Sequence, residues 1–309
     1  MIKYIKNQHI NKLKWDDCIR NSVNARVYAY SWYLDIVTPE WDALILDDYQ
    51  AVFPIIYNTK WKIDYCYQPV FTQQLGVFSS LLLTSDLVKR FLEKLQKQFP
   101  FIQINLNSHN KIEANYQGIK RNVNHELDLI QAYDDLKKGY SKNLKRNLKK
   151  ASKNKLTIFK NLKPEVVVEL FKDNKGKEIK AYNDQDYQKL IRLSYKALSL
   201  NMAHVWGVFT PENNICAAAI FMKDKRKHTF LFSGSNAEAK ELLAMPYLLD
   251  SYIKAHSQVP VILDFEGSND PNLARFYKSF GSTKIHYPHF FSNQLPWYFS
   301  LAWKLKQSL

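Results

Sequence analysis

The chain has 309 residues, of which 46% are hydrophobic and 14% aromatic. That length suits about two domains of roughly 100–200 residues each, and the composition excludes a disordered chain. A formal net charge of +15 at pH 7 favours an anionic partner over a cationic one.

From the N-terminus, MIKYIKNQHINKLKWDD contains no apolar h-region, so no secretory signal is read there. No apolar run approaches the ~20 residues of a membrane helix, and a cytoplasmic protein is expected. A helix is predicted over 11–22, then strands over 43–47 and 51–57 joined by a turn at Asp47-Asp48. Strands follow near 65–71 and 74–79, then a helix over 85–98 capped by Thr84 or Ser85, then the strand FIQINLN at 101–107. The second half is predicted to run from a basic helix through a strand near 156–160, helices at 164–174 and 184–199, and strands at 204–209, 215–223 and 228–233. A helix over 241–257, a strand over 261–265, a helix over 271–280 and a strand over 283–287 complete it. The order of elements repeats between the halves without any residue-level repeat, which points to two similar α/β domains. The domains are placed at 1–136 and 137–309, divided at the lysine-rich helix because no Gly/Ser- or Pro-rich linker is present. The aromatic C-terminal stretch HFFSNQLPWYFSLAWKLKQSL reads either as a membrane-surface segment or as a segment that packs back across the domains, and the second is expected.

The charge is unevenly placed. Residues 1–136 hold 15 basic and 15 acidic residues, while the remainder holds 29 and 14. The segment 137–160, KKGYSKNLKRNLKKASKNKLTIFK, has ten Lys/Arg and no acid. Tyr140, Leu144, Leu148 and Ala151 recur at helical spacing, so the lysines form either a plain solvated face or a face that contacts phosphates. No aromatic residue alternates with them inside the helix, which argues against a stacking platform for single strands.

The three cysteines, Cys18, Cys66 and Cys216, are scattered, form no CxxC pair and have no zinc-like spacing with histidine, so reduced thiols and no metal are expected. The eight histidines do not cluster along the chain. His204, at the start of an apolar strand, reads as a core histidine. GxGxxG, GxxxxGK[ST], GxSxG and HExxH are all missing, which sets aside dinucleotide, P-loop and nucleophile-elbow chemistry.

Two strand–turn–helix units remain. In HTFLFSGSNAEAKELLAMPYLLDSYIKAHS, 228–257, the strand is read as ending at Phe232-Ser233, with Gly234, Ser235 and Asn236 before a helix. Small residues there either leave backbone N–H groups free for an anion or make an ordinary connection. In LDFEGSNDPNLARFYKSFG, 263–281, a strand ends in Asp264-Phe265-Glu266, a turn follows, and Asp270-Pro271 starts a helix that stops at Gly281.

The residues Asp264-Phe265-Glu266-Gly267 and Phe276-Tyr277-Lys278-Ser279-Phe280-Gly281 resemble the pattern Asp-Phe-x-Gly followed by Phe-Lys-x-x-Phe-Gly of the Fem-type peptidyltransferases and their acetyltransferase-like relatives, within the GNAT superfamily. The basic segment SKNLKRNLKKASKNKLTI at 141–158 and the turn Gln73-Gln74-Leu75-Gly76 are similar to further segments of that family. The resemblance implies an α/β (α+β) fold of tandem GNAT-like (acyl-CoA N-acyltransferase) domains, with mixed, mainly antiparallel sheets flanked by helices. It implies attack of an amine on an activated acyl carbonyl without a covalent enzyme intermediate, the enzyme positioning both partners and stabilising the oxyanion. Lys278 would stabilise charge, Glu266 or Asp264 would accept the amine proton, and Tyr277 would flank them. A plain reading stands beside it: Arg275 and Lys278 as surface charges on a helix whose apolar side is Leu273, Phe276 and Phe280. Acyl-CoA is the first expectation for the donor, with Ser233, Gly234, Ser235, Asn236 and Lys240 as its binding residues. The stretch Ala239-Lys240-Glu241-Leu242-Leu243-Ala244 lacks the glycine-rich pyrophosphate loop of ordinary GNAT enzymes, and nothing between 164 and 200 is long enough for the helical arm of some Fem enzymes. The alternatives are aminoacyl transfer from tRNA, held by the basic helix 137–160, onto a peptidoglycan precursor, and a non-catalytic anion-binding module. The acceptor, a small-molecule or peptide amine, is expected in a cleft lined by Trp32, Tyr33, Gln73 and Gln74.

Overall fold

Alternating apolar residues and amphipathic helical runs build the elements in this order. The computed structural model describes residues 1–296 apart from 39, 114 and 179–181. In chain order the elements are β1 (Ile2–Ile5), α1 (Lys12–Asn21), α2 (Ser31–Val37), β2 (Trp41–Leu46), β3 (Ala51–Lys60), β4 (Ile63–Cys66), β5 (Phe78–Ser79), α3 (Ser85–Gln96), β6 (Phe101–Asn105) and β7 (Ile119–Asp128). There follow α4 (Tyr133–Lys138), α5 (Lys142–Ala151), β8 (Thr157–Lys160), α6 (Pro164–Asp173), α7 (Lys175–Glu178), α8 (Asp184–Ser199), β9 (Ala203–Phe209), β10 (Ile215–Lys223) and β11 (Lys227–Ser235). The last elements are α9 (Ala239–Leu242), α10 (Ala244–His256), β12 (Ile262–Asp264), α11 (Pro271–Lys278) and β13 (Thr283–Asn293).

The chain divides into two compact units: unit 1 is Met1–Asn122 with His286–Leu309, and unit 2 is Val123–Ile285. The composition shift at 136/137 lies inside unit 2, in α4. Of the aromatic C-terminal stretch, 297–309 lies outside the described residues.

In unit 1, β1, β2, β3 and β4 pair antiparallel in turn, β5 adds to β3, β6 runs parallel to β4, and β13 runs antiparallel to β6. One face of this sheet is apolar. Leu44, Phe53, Ile55, Ile102, Ile104 and Phe290 pack there with Leu87, Phe91, Leu92 and Leu95 of α3. Thr84 caps α3 by accepting from Leu87 N at 3.2 Å. The strand predicted over 74–79 is reduced to Phe78–Ser79, because the preceding turn is tied elsewhere. Leu75 N donates to Asn105 O at 2.9 Å, and Asn110 Oδ1 occupies the space beside Gly76. Gly76 has φ +99°, and a Cβ there would lie 2.2 Å from that oxygen, so only glycine fits.

In unit 2 the sheet order is β7, β12, β11, β10, β9, β8, antiparallel throughout except for the parallel pair β11–β12. On one face α10 and α5 bury Leu248, Leu249, Tyr252, Leu144 and Leu148 against Phe221, Phe230 and Trp206. On the other face α6 lies so close to β11 that a Cβ at Gly234 would meet Val167 O at 2.5 Å and Phe171 N at 2.6 Å.

The buried face also holds a polar chain. Lys223 Nζ lies 2.9 Å from His204 Nε2, Tyr252 Oη lies 3.2 Å from His204 Nδ1 and 3.0 Å from His228 Nδ1. An ammonium only donates, so His204 Nε2 accepts and its Nδ1–H donates to Tyr252 Oη. Tyr252 then donates to His228 Nδ1. Both histidines are held neutral: burial, with Lys223 nearby, lowers His204 to about 4. Burial and the neighbouring His256 and His204 lower His228 to about 3.

Candidate functional site

β12 ends at Asp264, and the parallel register with β11 ends there too, at Thr229↔Asp264, while β11 continues to Ser235. The two strands therefore part at this point. The chain turns through Glu266 (φ +53°) and Gly267 (φ +60°), two successive left-handed residues. Glycine adopts that conformation freely, whereas at Glu266 it costs about 1–2 kcal/mol. Asp270 caps α11, its Oδ1 accepting from Asn272 N at 2.7 Å and Leu273 N at 3.1 Å, with Pro271 in the first turn.

Asp264 is buried. Its Oδ1 accepts from Asn124 Nδ2 at 2.7 Å and from Glu266 N at 3.1 Å, and its Oδ2 faces Lys227 Nζ at 3.4 Å. Lys227, itself buried, also bonds Glu126 of β7. This arrangement fixes the strand end and the turn after it. Glu266 is half-buried and lies near Tyr277. Burial first, then the charges of Glu266 and Asp270, push the Tyr277 hydroxyl far above its ordinary value. The Tyr277 ring stacks on Phe265, with centroids 4.9 Å apart and planes at 18°.

Lys278 follows on α11 but is exposed and lines a cleft of about 490 Å3. Arg275 lines it beside Lys278, with Asn272 and Ser279 from the same helix region. Ser141, Asn143 and Asn147 line it from the start of α5, and Leu144, Pro246 and Phe276 supply apolar wall. No carboxylate is among the described residues that line it. The cleft is built by a close backbone approach. Ser141 N donates to Ser279 O at 2.8 Å, and Gly281 (φ +77°) comes so near that a Cβ would lie 3.1 Å from Gly139 O. The start of α5 carries the positive end of a helix dipole into the same cleft.

α5 reads out as its sequence pattern requires: Leu144, Leu148 and Ala151 are buried, and its lysines are exposed. Asn143 and Asn147, four residues apart, share one face with Arg146 and Lys150. Arg146 Nη2 donates to Asn143 Oδ1 at 2.7 Å, so the basic surface is continuous with the cleft wall. That asparagine pair is the signal the sequence reading passed over.

The expected anion loop is not a loop. Ser233, Gly234 and Ser235 belong to β11, opposite Ala219, Ala218 and Ala217 of β10. Those alanines offer a ladder that overrides the weak strand preference of Ser-Gly-Ser. Asn236 N donates to Cys216 O at 2.9 Å and its Oδ1 accepts from Ala239 N at 3.0 Å. Lys240 is exposed on α9. Of the four residues expected around the acceptor, all lie in unit 1. Tyr33 is fully buried and its hydroxyl donates to Phe71 O, with Trp32 5.5 Å away ring to ring. Gln74 is buried, its Oε1 accepting from Ser108 N at 3.1 Å and its Nε2 donating to Gln73 Oε1 at 2.8 Å. Trp32 and Gln73 are half-buried.

Among the described residues no cluster of His, Cys, Asp or Glu could hold a metal ion, and no helix is long and apolar enough to cross a membrane.

No protein-family model and no curated protein matches the chain. Among solved structures it is similar to FemX, at TM-score 0.67 and 12% identity over 94% of this chain and 98% of that one. It is similar to a conserved protein of unknown function from Bacteroides thetaiotaomicron, at TM-score 0.61 and 9% identity over 94% and 99%. It is also similar to the C-terminal domain of a putative lysylphosphatidylglycerol synthetase from Agrobacterium fabrum, at TM-score 0.57 and 14% identity over 95% and 94%. The fold is thus GNAT-like, with FemX among its structural neighbours, and is built on mainly antiparallel sheets flanked by helices.

Proposed function

We propose that the protein is an acyl-group transferase acting on an amine, and that unit 2 holds the activated donor through a phosphate-bearing carrier. The observation that carries this reading is the cleft of Arg275 and Lys278, which has a helix N-terminus in its wall and no carboxylate among the described residues that line it. Such a lining favours an anion. In this reading the two units are tandem GNAT-like domains, and the acceptor is a small-molecule or peptide amine.

The reaction is attack of the amine nitrogen on the donor carbonyl. A C–N bond forms, the carbonyl oxygen becomes an oxyanion, and the carrier oxygen or sulfur leaves as the carbonyl re-forms. Lys278, a cation at the cleft, is assigned to stabilise the oxyanion. Glu266, beside Tyr277, is not among the described residues that line this cleft, so the amine proton is assigned to solvent. Asp264 is engaged with Lys227 and Asn124, so it serves by holding the turn.

An aminoacyl ester of tRNA fits this surface best, because Arg146 and Lys150 extend the cleft wall along α5, Ser233–Ser235 are closed into the sheet and Asn236 N is bonded to Cys216 O. A second reading, with acyl-CoA as donor, is favoured by the parting of β11 and β12 beyond Thr229 and Asp264. Equilibrium binding of aminoacylated tRNA and of acyl-CoA across a salt series tests both. For tRNA, log K is expected to fall linearly with log salt, and Arg146→Gln with Lys150→Gln should lower the slope by about 1–2. Saturable binding of acyl-CoA, with a shallower salt dependence than a polyanion shows and without binding of aminoacylated tRNA, selects the second reading. Tight binding of either carrier without transfer to any amine would leave a non-catalytic anion-binding module, and binding of neither would refute the assignment of the cleft.

A further inference from the structure

We propose that unit 1 carries a separate pocket for the phosphate group of a small phosphate monoester, formed where the loop after β6 meets β7 and β13. A cavity of about 300 Å3 opens there. Three separate pieces of chain each bring a nitrogen-bearing side chain to its lining: Lys111 from the loop, Arg121 from β7 and His286 from β13. All three belong to the same compact unit.

Hydrogen bonds hold the loop in place. Leu106 N donates to Pro288 O at 2.8 Å, and Asn107 N donates to Leu75 O at 2.7 Å. Asn110 is fully buried; its Oδ1 accepts from Val77 N at 2.7 Å and its Nδ2 donates to Val77 O at 2.8 Å. Ser85 Oγ donates to Lys111 O at 3.0 Å. The backbone that carries the site is thus ordered in the free protein, which lowers the entropic cost of binding. Ser108, also in the lining, adds a directed donor. Its N donates to Gln74 Oε1 at 3.1 Å, and its Oγ accepts from Nη2 of the buried Arg26 at 3.3 Å. A guanidinium only donates, so the Ser108 hydroxyl hydrogen points elsewhere. His109 Nδ1, at 3.5 Å, is a distant acceptor for it. A ligand oxygen at the ordinary O–H···O distance of about 2.7–2.8 Å makes the better bond.

The chemistry of this lining selects its ligand. Lys111 and Arg121 are exposed, and neither has an ion-pair partner among the described residues. No Asp or Glu is among the described residues that line the pocket, and Glu113, the nearest acid along the chain to Lys111, is not one of them. A phosphate monoester carries about −1.5 to −2 charges at pH 7, which matches two cations, whereas a carboxylate carries one. The planar fork of Arg121 suits two phosphate oxygens, and the Lys111 ammonium acts on the group as a point charge. The Ser108 hydroxyl and the His286 ring supply further hydrogen-bonding atoms. The volume, at the lower end of the roughly 300–1,000 Å3 of ligand pockets, leaves room for more than the phosphate alone. Ile112 and Pro288 give that remainder an apolar wall.

This inference does not rest on the transferase reading: it concerns binding in unit 1 alone, and its failure would leave the donor cleft of unit 2 untouched. The test is calorimetric titration of the full chain with glycerol 3-phosphate, with inorganic phosphate and acetate as comparisons. Saturable binding of glycerol 3-phosphate is expected. Inorganic phosphate should bind more weakly because it leaves the apolar wall uncovered, and acetate more weakly because it carries one charge. Lys111→Gln and Arg121→Gln, both at exposed side chains, should each weaken binding of glycerol 3-phosphate about ten-fold without lowering the melting temperature. Arg275→Gln, in the cleft of unit 2, should leave it unchanged. Absence of saturable binding, equal or tighter binding of inorganic phosphate or acetate, wild-type binding by both Lys111→Gln and Arg121→Gln, or loss of binding in Arg275→Gln would overturn the proposal.

Discussion

Acidification should loosen unit 2 through His204 and His228. Both are neutral when folded, at about 4 and about 3, against an ordinary value of about 6.5. The groups facing them are Lys223 on β10, Lys160 on β8, and Tyr252 and His256 on α10. None of these is an acid that could compensate a new positive charge. The folded values lie below the unfolded ones, so these histidines leave stability unchanged above pH 6.5 and remove it as pH falls below that value. Each histidine that stays neutral removes about 1.4 kcal/mol per pH unit in that window. Between pH 7 and pH 5 the pair therefore accounts for about 4 kcal/mol at most, and about 2 kcal/mol once solvent access to half-buried His204 is allowed for. The assay is urea unfolding at pH 7, 6 and 5, followed by tyrosine and tryptophan fluorescence. Burial raises the Asp250 and Asp16 carboxyls, which act in the opposite sense on acidification. The decisive comparison is thus wild type against His204→Gln/His228→Gln, in which glutamine can still accept and donate. The wild type should lose about 2–4 kcal/mol over this range and the double variant much less. An equal loss in both, or none in the wild type, would refute the reasoning.

Two further outcomes follow from packing. Gly234→Ala should destabilise by about 1–3 kcal/mol and lower the melting temperature by several degrees, because the new methyl meets α6 backbone and not a movable side chain; an unchanged melting curve would contradict the close approach. Lys227→Met leaves Glu126 and Asp264 without their shared ammonium and should cost about 3–5 kcal/mol at pH 7, read by the same urea titration, with part restored by adding Glu126→Gln. A loss below about 1 kcal/mol would show that the cluster is not electrostatically tight.

Much of unit 2 was legible in the sequence because its signals are local. The stripe Leu144, Leu148 and Ala151 fixed α5, Asp270-Pro271 fixed the start of α11, and the apolar run at 215–223 coincides with β10. Errors came where a partner strand decides. β11 runs on to Ser235 because β10 places alanines beside Ser-Gly-Ser. β7, IKRNVNHELD, went unread because its polar residues hide the alternation and its pairing with β12 is distant in sequence. β13 extends to Asn293 because β6 pairs with it. Of the candidate site, Lys278 was visible from its motif, yet its surroundings were not: Tyr277 beside it is core, and the cleft walls come from α5 and α10, more than 20 residues away in sequence. The histidine chain had no sequence signal at all, since β9, β11 and α10 bring its members together only in the fold.

The most direct test of the central claim is single-turnover transfer from a donor that the wild type binds, compared with Arg275→Ala and Lys278→Ala. Both side chains are exposed, so folding should be unaffected and circular dichroism and melting temperature should match the wild type. Arg275→Ala should weaken donor binding about ten-fold, and Lys278→Ala should slow the transfer step by about 100-fold or more at saturating donor. Wild-type transfer rates in Lys278→Ala, with donor binding intact in both variants, would contradict the account.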